Sequence, residues 1–248
     1  MAAGKHVVVC GYSRSGTTMF YNMLRTTVTN FHFLEREQPA RAVIAASADD
    51  HVTKRPLDIF DIDNILAANV QRKQVFCIIL IRDIRSIVTS FHQSVPNDYF
   101  IGFDRQYFID HDNGTASLTN PGIVQIHNAI ARTWQRRDLV KIILRYEDIL
   151  RDMETIQGQL GTVIGFDYRG SFRDFYKHET PLGLERALNA RRPPDPENIE
   201  AWRSERHRDR IRDQFTRCPQ LLELLRIYGY ETGDSWFDAY AREPPPAT

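Results

Sequence analysis

Gly11 and Gly16 enclose Tyr12, Ser13, Arg14 and Ser15, and Thr17 and Thr18 follow directly. The two glycines have Walker A spacing, but Thr17 stands where that motif has lysine, and the loop's cation is Arg14. A glycine loop between a strand and a helix turns consecutive backbone N–H groups and a helix N-terminus toward an anion. Ser15, Thr17 and Thr18 add hydroxyl donors. Arg14 adds a fixed charge and a planar fork suited to phosphate or sulfate oxygens. A nucleoside-triphosphate site normally needs the loop lysine and an acid at the end of a later strand to help hold Mg²⁺. A later apolar run ends instead in Ile81-Arg82-Asp83, with a cation first. The pattern predicts an anion site neutralised by protein cations, with no metal.

The elements that must position these residues follow from apolar runs. His6–Cys10, Val75–Ile81 and Val140–Leu144 are rich in β-branched residues and do not alternate, as expected for parallel strands covered on both faces. A weaker short strand is expected at His51–Thr53, ended by Pro56. Helical patterns run from Thr17 to about Thr27, Ile84 to about Gln93, Gly122 to Arg137, Tyr146 to about Ile164, and Leu221 to Tyr228, where Gly229 ends the last. Repeated strand-then-helix units predict a three-layer α/β/α fold of P-loop type around a mainly parallel sheet. Residues 97–120 and the Pro-rich stretch 191–197 lack periodicity and read as functional loops. No repeat or second core is evident, so a single domain over 1–248 is expected.

Bulk composition narrows the partners. Lys plus Arg equals Asp plus Glu at 32 each, so no global field argues for nucleic acid or an acidic membrane, and the anion site must be local. Cys10, Cys77 and Cys218 are odd in number and lack metal-ligand spacing, which fits a reducing compartment. No apolar run approaches the ~18 residues of a membrane span. A soluble, cytoplasmic protein is expected, its oligomeric state open and a homodimer not excluded.

Together these blocks resemble the sulfotransferases that use 3′-phosphoadenosine-5′-phosphosulfate (PAPS). Residues 13–18, Ser-Arg-Ser-Gly-Thr-Thr, resemble the family's 5′-phosphosulfate loop. Arg82 to Ser90 resembles its 3′-phosphate element, in which an arginine and a serine eight residues later bind that phosphate. Tyr146-Glu147-Asp148 resembles a block packed near the nucleotide. The resemblance implies PAPS as donor, adenosine 3′,5′-bisphosphate (PAP) as product, no metal, and a small-molecule or glycan acceptor. Arg14, Ser15, Gly16, Thr17, Thr18, Arg82, Ser90 and Tyr146 are then the cofactor-binding residues. Arg191 and Arg192, with Trp202-Arg203 further on, are candidates to close over the nucleotide, although Pro193-Pro194 depart from the family's glycine there.

The same resemblance assigns the chemistry. Lys54 lies in a Lys-x-Pro setting like that of protein-tyrosine sulfotransferases, where the lysine stabilises the transition state; small-molecule enzymes carry histidine at that place. In carbohydrate and tyrosyl-protein enzymes a catalytic glutamate follows the loop arginine by about 21 residues, which leads from Arg14 to Glu35. Glu37 and His51 are the alternatives for the base, and one of the two glutamates is a surface acid paired with Arg36 or Arg41. His32, Glu37, His51, Tyr99 and Phe103 are expected to line the acceptor site. Two rival functions remain at this stage: a P-loop nucleotide or small-molecule kinase with a degenerate Walker A loop, and a non-catalytic nucleotide-binding paralogue.

Overall fold

The computed structural model describes residues 4–90, 100–111, 114–188 and 192–242. Its strands are β1 (Lys5–Gly11), β2 (His32–Phe33), β3 (His51–Lys54), β4 (Gln74–Ile81), β5 (Asp104–His111), β6 (Gly114–Pro121) and β7 (Val140–Arg145). Its α-helices are α1 (Thr17–Thr27), α2 (Ala40–Ala46), α3 (Ile62–Ala67), α4 (Ile84–Val88), α5 (Ile123–Gln135), α6 (Tyr146–Arg151), α7 (Met153–Ile164), α8 (Leu182–Leu188), α9 (Arg208–Arg217), α10 (Gln220–Ile227) and α11 (Ser235–Ala241). The chain divides into two compact units, one of residues 1–82 and 129–196, the other of 83–128 and 197–248.

The first unit holds a five-stranded parallel sheet in the order β2-β3-β1-β4-β7. Val7, Val8, Val9 and Cys10 of β1, like Cys77 to Leu80 of β4, are fully buried, which explains why these strands read as unbroken apolar runs. The chain leaves β1 through α1 to the sheet's far strand, then returns through α2 and α3. Right-handed crossovers set α1 on one face and α2 with α3 on the other, giving three α/β/α layers. The connections after β1 and β3 therefore diverge, opening a crevice at the carboxyl ends of these neighbours, where such sheets bind ligands.

The short strand expected at His51–Thr53 is β3 and extends to Lys54. The helix expected over 146–164 is two helices, because Asp152 interrupts it and caps α7 by accepting the Thr155 N–H at 3.2 Å. The second unit brings a larger correction. Residues 97–120 read as an irregular loop in the sequence, yet β5 and β6 pair antiparallel from Asp104↔Pro121 to His111↔Gly114. Helix α4 is also shorter than expected: it ends at Val88, and Ser90 lies past it, its N–H donating to Ile87 O at 3.2 Å.

Arg85 organises the second unit. Its guanidinium grips Asp83 at 2.7 Å, pairs with Glu231, and lies over the rings of Trp202 (3.9 Å) and Trp236 (4.7 Å). Burial draws its pKa down, and the bonds to Asp83 and Glu231 more than reverse that, so the net shift is upward.

Candidate active site

At the carboxyl end of β1, Gly11 and Gly16 take positive φ of 121° and 83°. Each glycine also meets a close neighbour. A Cβ on Gly11 would lie 2.3 Å from Leu80 O, and one on Gly16 would lie 2.5 Å from the Tyr146 ring. Arg14 is left-handed too, at φ 68°, which is uncommon for a residue with a side chain. Arg82 braces it: Nη1 donates to Arg14 O at 3.0 Å, while its guanidinium sits 4.3 Å from the Tyr146 ring centre. Gly16, Tyr146, Arg82 and Arg14 thus form one connected frame around the loop. Ser15 is fully buried and its hydroxyl donates to Tyr12 O at 2.7 Å, so that proton is committed within the loop.

Across the crevice, β3 ends in Lys54. Its side chain is 2% exposed, donates to Thr18 Oγ1 at 2.6 Å, and pairs with Glu37. Burial pulls the Lys54 pKa down, against the upward pull of Glu37. Glu37 keeps 40% of its side chain exposed. A buried ammonium, an accessible carboxylate and the first turn of α1 therefore meet at one point beside the glycine loop.

The segment that carries the acid is tethered on both sides. Tyr21 of α1 is buried, and its hydroxyl accepts the Leu34 N–H (2.7 Å) and lies 3.0 Å from Leu34 O. Burial pushes the Tyr21 pKa up to about 12, so the hydroxyl stays protonated. On the other side, Asp58 Oδ2 accepts the Ala40 N–H at 3.0 Å. Neither Tyr21 nor Asp58 was singled out from sequence. A local signal for Asp58 does exist: Pro39 stands where α2 would need a capping side chain, so its cap must come from elsewhere in the chain.

The other expected site residues fall in different places. Glu35 is exposed, and Arg25 feels its charge. Arg41 pairs with Asp61 at 3.6 Å, not with a glutamate. His32 and His51 are in register with His6, at the amino-terminal ends of their strands, whereas the loop and Lys54 lie at the carboxyl ends. Arg82 belongs to the first unit and Ser90 to the second. In the second unit Phe103 is 51% exposed, and Trp202 is buried under Arg85 while Arg203 bonds Glu200 at 3.0 Å. Arg192 is exposed; Arg191 and Tyr99 lie outside the described residues.

Two features of the loop region suit an anionic ligand. The N-cap of α1 is Gly16, which has no side chain to cap the helix. Arg82 Nε is buried without a hydrogen-bond partner among the described residues.

No protein-family model and no curated protein matches the chain. Solved structures do. The sulfotransferase domain from the curacin biosynthetic pathway aligns with 81% of this chain and 87% of its own, at 13% identity and a TM-score of 0.51. Mouse sulfotransferase SULT7A1 complexed with PAP aligns over 98% of this chain and 91% of its own, at 12% identity and a TM-score of 0.53. The chain has a sulfotransferase-type fold. In this fold the glycine loop follows β1, Lys54 ends β3 and pairs with Glu37 from the segment after β2, and Arg82 follows β4. Among its described residues no helix is long and apolar enough to cross a membrane.

Proposed function

We propose that the protein transfers a sulfuryl group from PAPS to the hydroxyl of a carbohydrate or other small alcohol. The observation that carries this reading is Lys54, a buried cation beside the glycine loop that bonds Thr18 and pairs with an accessible glutamate. The donor would supply an activated sulfuryl group. The backbone N–H groups of Thr17 and Thr18 hold its 5′ end at the start of α1. Arg82 takes the 3′-phosphate, a role the resemblance also gives to Ser90. Arg14 and Lys54 bring positive charge to the oxygens on which negative charge grows. Glu37 removes the acceptor's proton at its carboxylate, and its pairing with Lys54 favours it over Glu35 for that role. The exposed part of the glutamate side chain leaves the acceptor a way in.

The test is a thermal-shift comparison followed by mass spectrometry. PAP without Mg²⁺ is expected to raise the melting temperature, and ATP with Mg²⁺ is not. The product of incubating PAPS with a panel of sugars and alcohols is expected to carry one added sulfuryl group. Stabilisation by ATP with Mg²⁺ alone would replace this reading with a kinase. Stabilisation by PAP with no sulfated product from any acceptor would leave a nucleotide-binding protein without transferase activity.

A further inference from the structure

We propose that Asp58 is a positioning residue that holds Glu37 and Lys54 against each other. The inference rests on the sulfuryl-transfer reading above. Asp58 is completely buried, and its two carboxylate oxygens serve two different segments. Oδ2 accepts the N–H of Ala40, three residues after Glu37. Oδ1 accepts from Arg55 Nη1 at 3.3 Å, one residue after Lys54. One carboxylate therefore ties together the two chain segments that carry the acid and the ammonium. Pro39 holds φ near −58° just before Ala40, so the short link back to Glu37 has limited freedom.

The charged form of this carboxylate is disfavoured where it sits. Burial pushes its pKa up to about 6; the Ala40 amide and Arg55 oppose the rise and Asp61 adds to it. Cys10 on β1 also feels the Asp58 charge, and Arg41 pairs with Asp61. The sign of the effect follows from linkage. An aspartate whose folded pKa is raised binds its proton more tightly in the folded chain, so its contribution to stability is present at low pH and lost as pH rises through about 6. At neutral pH the fold thus carries a buried carboxylate at a cost in stability. A residue kept only for stability would not behave this way, whereas one kept to align reacting groups can.

The experiment compares wild type, Asp58→Asn and Arg55→Gln. The side-chain amide introduced by Asp58→Asn can still accept the Ala40 N–H but offers no charge to Arg55. Two measurements do not depend on the acceptor: the melting temperature across pH 4–8, and the acetylation rate of Lys54 by acetic anhydride relative to Lys73, read by mass spectrometry. A third is turnover of PAPS with the acceptor found above, as a function of pH. The expected result for Asp58→Asn is a melting temperature equal to or above wild type at pH 7, a Lys54 labelling rate raised about tenfold, and turnover lowered at least about tenfold with its acid limb near pH 6 gone. Arg55→Gln is expected to fall between the two. Unchanged Lys54 labelling in both variants would overturn the proposal, as would unchanged turnover and pH profile. Failure of wild type to bind PAP would instead remove the sulfuryl-transfer reading, and the labelling result would still decide whether Asp58 holds the pair.

Discussion

Lys54 and Arg85 are both buried cations, one in each unit, and their surroundings differ in a way that, under the proposed function, separates a reacting group from a structural one. Arg85 is held at all three nitrogens: Nε and Nη2 donate to Asp83, Nη1 donates to Glu231, and Trp202 and Trp236 cover its plane. Its pKa is raised above the ordinary value because those partners outweigh burial. Among the described residues Lys54 has one hydroxyl and one carboxylate as partners, the latter reachable from solvent, and burial leaves its pKa depressed. A cation with every partner supplied by the protein has little left for a ligand. Under the proposed function, a cation with only these two described partners, next to a helix N-terminus, is poised to meet an incoming anion.

The contrast can be broken by removing each cation in turn. Arg85→Ala is expected to cost about 3–5 kcal/mol in urea unfolding, since it strands Asp83 and Glu231. A loss below about 1 kcal/mol would mean that the aromatic shell carries the second unit without the ion pairs. Lys54→Ala is expected to leave the melting temperature near wild type, because its partner Glu37 can be solvated, while turnover falls about 10²–10³-fold. The companion exchange Glu37→Gln should lose about 10²-fold and Glu35→Gln nothing; the reverse order would return the base to Glu35. The smallest expected effect sharpens the Arg85 side: Trp236→Leu, which removes one of the two ring faces, should cost about 1 kcal/mol in the same unfolding assay.

Legibility in the sequence varied along the same division. The glycine loop, α1 and the buried strands could be read because their signals are local: glycines at fixed offsets, unbroken β-branched runs, and a helical pattern that begins and ends at Thr17 and Thr27. The spacing between elements was harder. Counting from Arg14 leads to Glu35, but a strand of only two residues followed by an aperiodic stretch gives a count no fixed phase, and the acid paired with Lys54 is Glu37. His51 is three residues from Lys54 in sequence, yet an extended strand puts it about 10 Å away, toward the opposite edge of the sheet. The β5–β6 hairpin was missed because its second strand, Gly-Thr-Ala-Ser-Leu-Thr-Asn-Pro, is composed mostly of residues that usually mark loops. Asp58 was missed for a different reason: Pro39 signals only that α2 lacks a cap of its own, not which residue supplies one. The partners of Asp58 lie in another segment, and no spacing in the sequence announces a cap supplied from 18 residues away.

The brevity of β2 has a dynamic consequence. β1 and β4 pair over seven register positions and are almost wholly buried, so their amides should exchange with solvent only when the sheet itself unfolds. The stretch from His32 to Ala40 is held by a few bonds to Asp50, Tyr21 and Asp58, by the Glu37–Lys54 pair and by two strand residues. Local opening there breaks few hydrogen bonds. Hydrogen exchange should therefore find the edge that carries Glu37 breathing on a timescale far shorter than that of the sheet, and under the proposed function that breathing is the route by which acceptor and product come and go.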